Sequence, residues 1–275
     1  MMNKHSSNDA EETLQRHSIH DEWVDNYRTP DNEKFYNMAF DFIRDSFAQI
    51  EGETVLDAGC GSCAKSKNLV DRGYKVVGTD LSDSALELAR KGLIGTRYDS
   101  EIALKCENLT ELSFEDESYS KVVCWGVLMH IPEVDKAISE LSRIVKKGGM
   151  LAISEGNMNS VQTRILRLLK KLLGRERAVV NIVDAGIENW EETEDGRLMT
   201  RQANIEWLIK EFKKHGMELQ SRRAGQFSEM YWVVPTTILK KSIHFINKIW
   251  FKYIRLPGPA FGNILILRKK VPDYP

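Results

Sequence analysis

The sequence predicts a doubly wound α/β fold with a mostly parallel sheet, on three observations. Short apolar runs alternate with amphipathic stretches from about residue 53 onward. A glycine-rich turn, Asp57-Ala58-Gly59-Cys60-Gly61, follows the first run, and an aspartate, Asp80, ends the second. Strands alternating with helices imply right-handed crossovers, hence a parallel sheet covered on both faces.

The elements follow in order. An amphipathic helix over about 32–47 carries Phe35, Met38, Phe42 and Ile43 at helical spacing and is expected to cover the sheet. Thr54–Asp57 is the first strand, and the glycine turn leads from it into a helix ending near Val70. Tyr74–Thr79 is the second strand. Ser82 then caps a helix over Asp83–Lys91, because its hydroxyl can accept from an unpaired N–H of the first turn. Ile102–Cys106 and Lys121–Trp125 are the third and fourth strands. Pro132 opens a helix to about Val145, with Ala137, Leu141, Ile144 and Val145 on one face; Gly148-Gly149 ends it before a fifth strand, Met150–Ser154. A helix over Asn204–Lys214 precedes the sixth strand, Met217–Arg222, and Ile264–Leu267 is the last. Residues 1–12 are polar and read as disordered.

The chain thereby divides into an N-terminal segment (1–31), a core (32–155), a cap insertion (156–200), a return to the core (201–225), a second cap insertion (226–260) and the last strand with its tail (261–275). Both insertions leave from the carboxyl ends of strands, the ligand-binding edge of a parallel sheet. They are expected to build an acceptor pocket and a lid.

Composition narrows the function classes. Hydrophobic residues make up 42% and charged residues 29% of the 275, ordinary for a globular protein. A net charge of −1 argues against a globally basic nucleic-acid binder. The polar N-terminus lacks the apolar core of a signal peptide, and no apolar run reaches about 18 residues, so a cytoplasmic location is expected. Cys60, Cys63, Cys106 and Cys124 are then expected as free thiols. Cys60-Gly61-Ser62-Cys63 has zinc or thiol-exchange spacing, but no second ligand pair follows it. The expectation is small residues in a tight loop and no metal.

The turn after the first strand carries the chemistry. Glycines let a ligand approach the backbone, and an acid at the end of the second strand can accept from two ribose hydroxyls. Gly59-x-Gly61-x-x-Ala64 also satisfies the dinucleotide fingerprint. Asp57 discriminates. A carboxylate two residues before the first glycine repels a pyrophosphate but attracts the ammonium of an amino acid, which S-adenosylmethionine carries beside its ribose and adenine.

Five segments in order resemble the class I S-adenosylmethionine-dependent methyltransferases, of the small-molecule, quinone-biosynthesis type. They are Val55–Gly61, Val76–Ser82, Leu112–Tyr119, Val127–Ile131 and Ile144–Gly149. The resemblance implies a seven-stranded Rossmann-like sheet with an antiparallel last strand. It implies methyl transfer from S-adenosyl-L-methionine, leaving S-adenosyl-L-homocysteine, to an oxygen, nitrogen or carbon of a small or lipid-like acceptor. Asp57, Gly59 and Gly61 would hold the methionine part, Asp80 the ribose, and Leu81 would pack on adenine. Asn108 stands where the family often has an acid beside the adenine amino group, and its amide can accept from that group but also donate. Leu109 would offer its N–H to the ring, and Trp125 would sit near the ammonium. Cys63 replaces a common third glycine. His130, after the fourth strand, is the candidate general base for a hydroxyl acceptor. Two other readings stand beside this one: RNA methylation, suggested by the basic C-terminal segment, and a non-catalytic cofactor-binding partner protein.

The insertions are unevenly charged. Between Met230 and Val271 there are eight basic residues and no Asp or Glu. Leu239, Ile243, Ile246, Trp250 and Tyr253 form an apolar helix face beside Lys240, Lys241, Lys248 and Lys252. Val161, Ile165, Leu168, Leu169 and Leu172 form a second beside Arg164, Arg167, Lys170 and Lys171. Basic amphipathic helices can lie on anionic membranes, which would give peripheral contact through 236–256. Apolar faces are routine in globular helices, so the expectation is that both pack on the sheet or on each other.

Overall fold

The computed structural model describes Thr13 and residues 29–172, 179–193 and 196–271. The disorder expected over 1–12 lies outside the described residues.

Helix α1 (Pro30–Phe47) starts where Thr29 accepts from the Asn32 N–H and buries Phe35, Phe40, Ile43 and Phe47. The core then runs β1 (Thr54–Ala58), α2 (Ala64–Val70), β2 (Lys75–Asp80), α3 (Asp83–Leu93), β3 (Ile102–Cys106) and β4 (Tyr119–Trp125). Next come a 3-10 turn (Leu128–His130), α4 (Val134–Ile144) and β5 (Val145–Gly156). Ser82 caps α3 as expected, its hydroxyl accepting from the Ala85 N–H. The strand β5 takes in Gly148 and Gly149, which the sequence reading placed at a helix end. A register shift between Tyr119 and Lys121 absorbs the irregularity.

The chain continues through α5 (Val161–Leu172), β6 (Val179–Val183), β7 (Gly186–Thr193), β8 (Gly196–Ala203), α6 (Ile205–Lys214) and β9 (Met217–Ala224). A 3-10 turn (Met230–Trp232), α7 (Thr237–Ile249), a π-helical turn (Trp250–Ile254) and β10 (Gly262–Lys269) complete it. The main sheet has seven strands in the order β3-β2-β1-β4-β5-β10-β9. Strand β10 runs antiparallel to both β5 and β9, so the antiparallel last strand is as expected.

Strand periodicity explains the two-sided core. Leu56, Val122, Leu151, Ile153 and Leu265 pack into one cluster with Ile138 and Leu141 of α4 and Phe212 of α6. Their immediate neighbours Val55, Val123, Ala152 and Ile264 pack into the other, with Phe40, Ile43 and Leu86. Alternate side chains point to opposite faces, so a strand buried on both sides reads as continuously apolar.

The sequence reading missed the second sheet, β6-β7-β8, which is antiparallel and runs from within the first insertion past its expected end at 200 to Ala203. It also mistook the outward faces of two helices. Ile165, Leu168, Leu169 and Leu172 of α5 and Ile238, Leu239, Phe245 and Ile246 of α7 are exposed. The expected packing is met only in part. Ile243 and Trp250 of the predicted stripe are half-buried, Trp250 against Phe227 with ring centroids 4.2 Å apart, while Leu239, Ile246 and Tyr253 are exposed. The residue α7 buries fully is the polar Asn247. Among the described residues, no helix is long and apolar enough to cross a membrane.

Candidate active site

From β1 the chain winds outward through β2 and β3, then returns to place β4 on the other side of β1. Such a switch point leaves a crevice beyond the carboxyl ends of the two central strands. A cavity of about 360 Å³ lies there. It is lined by Asp57, Gly59, Gly61, Asp80, Leu81, Asn108, Leu109, Trp125 and His130, every residue singled out from the sequence.

The loop after β1 is held by its own backbone. Gly59, Gly61 and Cys63 adopt left-handed φ values of 80°, 52° and 61°. A Cβ on Gly59 would lie 2.4 Å from Val127 Cγ2, so the residue is glycine for space as well as for φ. Cys63 takes the left-handed conformation a glycine would accept without strain, and its side chain is buried. The N–H groups of Gly59 and Cys60 donate to the Thr79 carbonyl at 2.7 and 2.8 Å. Asp80 completes the clamp: Oδ2 accepts from the Gly61 N–H at 2.8 Å and Oδ1 from the Ser82 N–H at 2.9 Å.

Asp57 is buried, with Oδ2 accepting from Ser66 Oγ at 2.6 Å. Burial pushes its carboxyl up to about 6, against the opposing pull of the Ser66 hydrogen bond and the Lys65 charge. Trp125 stacks on Phe40, ring centroids 5.2 Å apart, and meets Tyr36 edge-on, which fixes one wall. Asn108 Oδ1 already accepts from both the N–H and the hydroxyl of Thr110, at 3.0 and 2.9 Å. Both its lone pairs are used, so of the two roles open to its amide Asn108 offers the cavity the NH₂ donor.

His130 ends the turn after β4, and distant residues grip that turn from both sides. Its Nδ1 lies 3.1 Å from the Met199 carbonyl of β8. A carbonyl only accepts, so Nδ1 carries the proton, and in the neutral ring the lone pair sits on Nε2. Arg201 of β8 donates to the carbonyls of Leu128, Ile131 and Pro132. It is itself held by Glu188 of β7 in a buried ion pair of 2.7 Å. From below, Glu155 at the end of β5 accepts the Leu128 N–H at 3.0 Å. Sequence reasoning found none of Glu155, Glu188 or Arg201, because each acts on residues far away in the chain. It also passed over Lys65, Tyr36, Gln226 and Glu229, which line the same cavity. Burial pushes the Glu229 carboxyl to about 7.

Glu155 carries a pH prediction. Burial pushes its carboxyl to about 8 from an ordinary 4.5, and Oε2 has no partner among the described residues. The native state therefore binds the proton more tightly than the unfolded chain. The stability this gives is complete below about pH 4.5 and is lost as pH rises towards 8, by at most about 1.4 kcal/mol per unit. Glu155→Gln keeps an acceptor for Leu128 and removes the titration. Its melting temperature should match the parent near pH 4.5 and exceed it increasingly towards pH 8. A difference that stays constant across this window would mean the carboxyl is not desolvated.

Comparison with known proteins agrees with this geometry. A methyltransferase-domain family model matches residues 56–153. The ubiquinone biosynthesis O-methyltransferase of Alkalilimnicola ehrlichii is 29% identical over 156 residues, covering 56% of this chain and 60% of that protein. The demethylmenaquinone methyltransferase of Clavibacter sepedonicus is 27% identical over 157 residues, covering 54% and 63%. The chain thus spans about three fifths of the length of these relatives. Among solved structures, the magnesium protoporphyrin IX methyltransferase from Synechocystis PCC 6803, with bound SAH, superposes with a TM-score of 0.59. That pair is 17% identical and covers 92% of this chain and 95% of the other, a likeness of fold. The matched stretch runs from the third residue of β1 to Ile153 in β5, the same stretch that builds the aspartate-clamped loop and the His130 turn. In sequence, residues 56–153 are similar to the methyltransferase domain, and the fold around them is the one shared with class I S-adenosylmethionine-dependent methyltransferases.

Proposed function

We propose that the protein transfers a methyl group from S-adenosyl-L-methionine to an oxygen, nitrogen or carbon of a small or lipid-like molecule. The observation that carries this reading is the convergence of Asp57, Asp80 and the His130 turn on one cavity at the switch point. The residues fit that cofactor. A buried carboxylate at Asp57 suits its ammonium, and Lys65, whose charge is felt at both Asp57 and Glu229, suits its carboxylate. Asp80, a carboxylate at the end of β2 whose two oxygens accept the Gly61 and Ser82 N–H groups, suits the ribose hydroxyls. Leu81 and Leu109 offer apolar contact for adenine, and the Asn108 NH₂ suits a ring nitrogen.

When bound, S-adenosyl-L-methionine supplies a methyl group on a sulfonium centre. The chain's own task is to align the acceptor and exclude water, and His130 Nε2 takes the proton of a hydroxyl acceptor. On the acceptor side stand Phe35, Tyr36, Met129, Gln226 and Phe261, a mixed wall that suits an apolar body with a polar reacting group. Four free cysteines, three of them buried, support a reducing, cytoplasmic compartment, with peripheral membrane contact through 236–256.

The test uses the purified chain. Calorimetry should detect S-adenosyl-L-methionine binding in the micromolar range and none for NAD. Label from the methyl group should then pass into the organic-extractable fraction of a cell extract. Binding without transfer to any fraction would reduce the protein to a cofactor binder, and transfer into RNA alone would overturn the small-molecule reading.

A further inference from the structure

Helices α5 and α7 are built inside out. On α5 the buried side chain is Thr163, whose hydroxyl accepts from Ser160 Oγ and donates to the Asn157 carbonyl. On the far side, Ile165, Leu168 and Leu172 are 52%, 58% and 72% exposed. On α7 the buried residue is Asn247, which bonds to both the N–H and the carbonyl of Ser228. Its opposite face carries Ile238 and Phe245, 79% and 63% exposed. A helix resting on a water-soluble protein does the reverse, putting its apolar stripe inward.

The two helices are also fastened at one point. Gln162 of α5 accepts from the Ser228 hydroxyl and the Glu229 N–H, both at 2.8 Å, while Asn247 of α7 holds the Ser228 backbone. Ser228 thus bridges them, and its chain neighbour Glu229 lines the cavity. The polar, inward sides of both helices are therefore anchored beside the rim of the site, and their apolar sides face away from it. Charge identifies what covers them. Arg164, Arg167 and Lys171 flank one face and Lys240, Lys241, Lys248 and Lys252 the other, all exposed. The stretch from Met230 to Val271 contains no acidic residue of its own, and Asp31 of α1 is an acid that reaches Lys241 and His244 from a neighbouring element.

We propose that α5 and α7, anchored beside the rim of the cavity, together form a docking face for an anionic lipid bilayer. Apolar side chains enter the acyl boundary while the flanking lysines and arginines meet lipid phosphates. The face deepens the reading of a lipid-like acceptor and rests on it for its purpose, though not for its chemistry.

The full chain should co-sediment with vesicles of phosphatidylcholine containing phosphatidylglycerol, bind pure phosphatidylcholine far less, and release as salt rises. Changing Lys240, Lys241, Lys248 and Lys252 together to Gln should weaken binding to the anionic vesicles at least ~10-fold. Leu168→Ser with Phe245→Ser should do the same by removing apolar contact, and since both side chains are exposed the melting temperature should hold. Absent binding, equal binding to neutral vesicles, or binding unmoved by either set of changes would overturn the proposal. So would a dimer in light scattering that Phe245→Ser disperses while vesicles are ignored, since a second copy would then cover the face. Cofactor affinity, measured on the same preparations, should be unchanged by all six substitutions. A parent that binds vesicles but not S-adenosyl-L-methionine would defeat the methyl-transfer reading and leave the docking face standing.

Discussion

Asp80→Ala is expected to weaken S-adenosyl-L-methionine binding by at least ~100-fold, because two kinds of bond disappear together. The first are the charge-assisted hydrogen bonds to the ribose hydroxyls, each typically ~1.5–3 kcal/mol. The second are those that Asp80 gives the protein, to the N–H groups of Gly61 and Ser82. Without them the loop between β1 and α2 loses its tie to β2, and the left-handed conformation at Gly61 loses a partner that fixes it. Part of the cofactor's binding energy then goes into ordering that loop. Calorimetry on parent and variant measures the sum. A melting temperature close to the parent's shows that the core has held, as expected for a carboxylate at the end of β2. Equal affinities would remove Asp80 from the site.

His130→Gln is expected to lower kcat by ~10²–10⁴ with a hydroxyl acceptor and to leave cofactor affinity unchanged. The glutamine amide can still donate to the Met199 carbonyl, so the turn stays where Arg201 and Glu155 hold it. What it cannot do is take a proton. The parent's rate should fall as the solution is acidified and the imidazole becomes protonated, and the variant's profile should lose that limb. Glu155 and Glu229 titrate in the same region, with carboxyls near 8 and 7. The control is therefore Glu155→Gln, which should keep the acid limb while changing the melting profile. A full rate in His130→Gln would show that the histidine only packs against β8, leaving the acceptor to lose its proton to water.

The site divides cleanly by distance along the chain. Asp57, Gly59 and Gly61 were legible because a tight turn between a strand and a helix has few solutions, and each demands particular residues at fixed spacing. Asp80 was legible because a parallel neighbour strand ends at the same sheet edge, so its last residue faces the loop after β1. The grip on His130 was not. Arg201 reaches back about seventy residues to the carbonyls of the 128–132 turn, and no local rule ties an arginine to a carbonyl at that separation. The β6-β7-β8 sheet escaped for a related reason. Its outer strand β6 keeps Val180, Ile182 and Val183 exposed, so the alternation that marks a half-buried strand is blurred.

By itself, the sequence determined the alternation of core strands and helices, the mostly parallel sheet and the glycine-rich turn at its carboxyl edge. All of these follow from local periodicity and turn chemistry. It also determined that 161–172 and 237–249 carry an apolar stripe. Only the tertiary structure decided which way those stripes face, because helical spacing says that two sides differ and not which side meets the protein. That choice rests on Thr163, Asn247 and Gln162 finding hydrogen-bond partners around residue 228 and the 157–160 turn. The bonds satisfy buried polar groups that have no cheaper alternative, and in doing so they turn the apolar side chains outward.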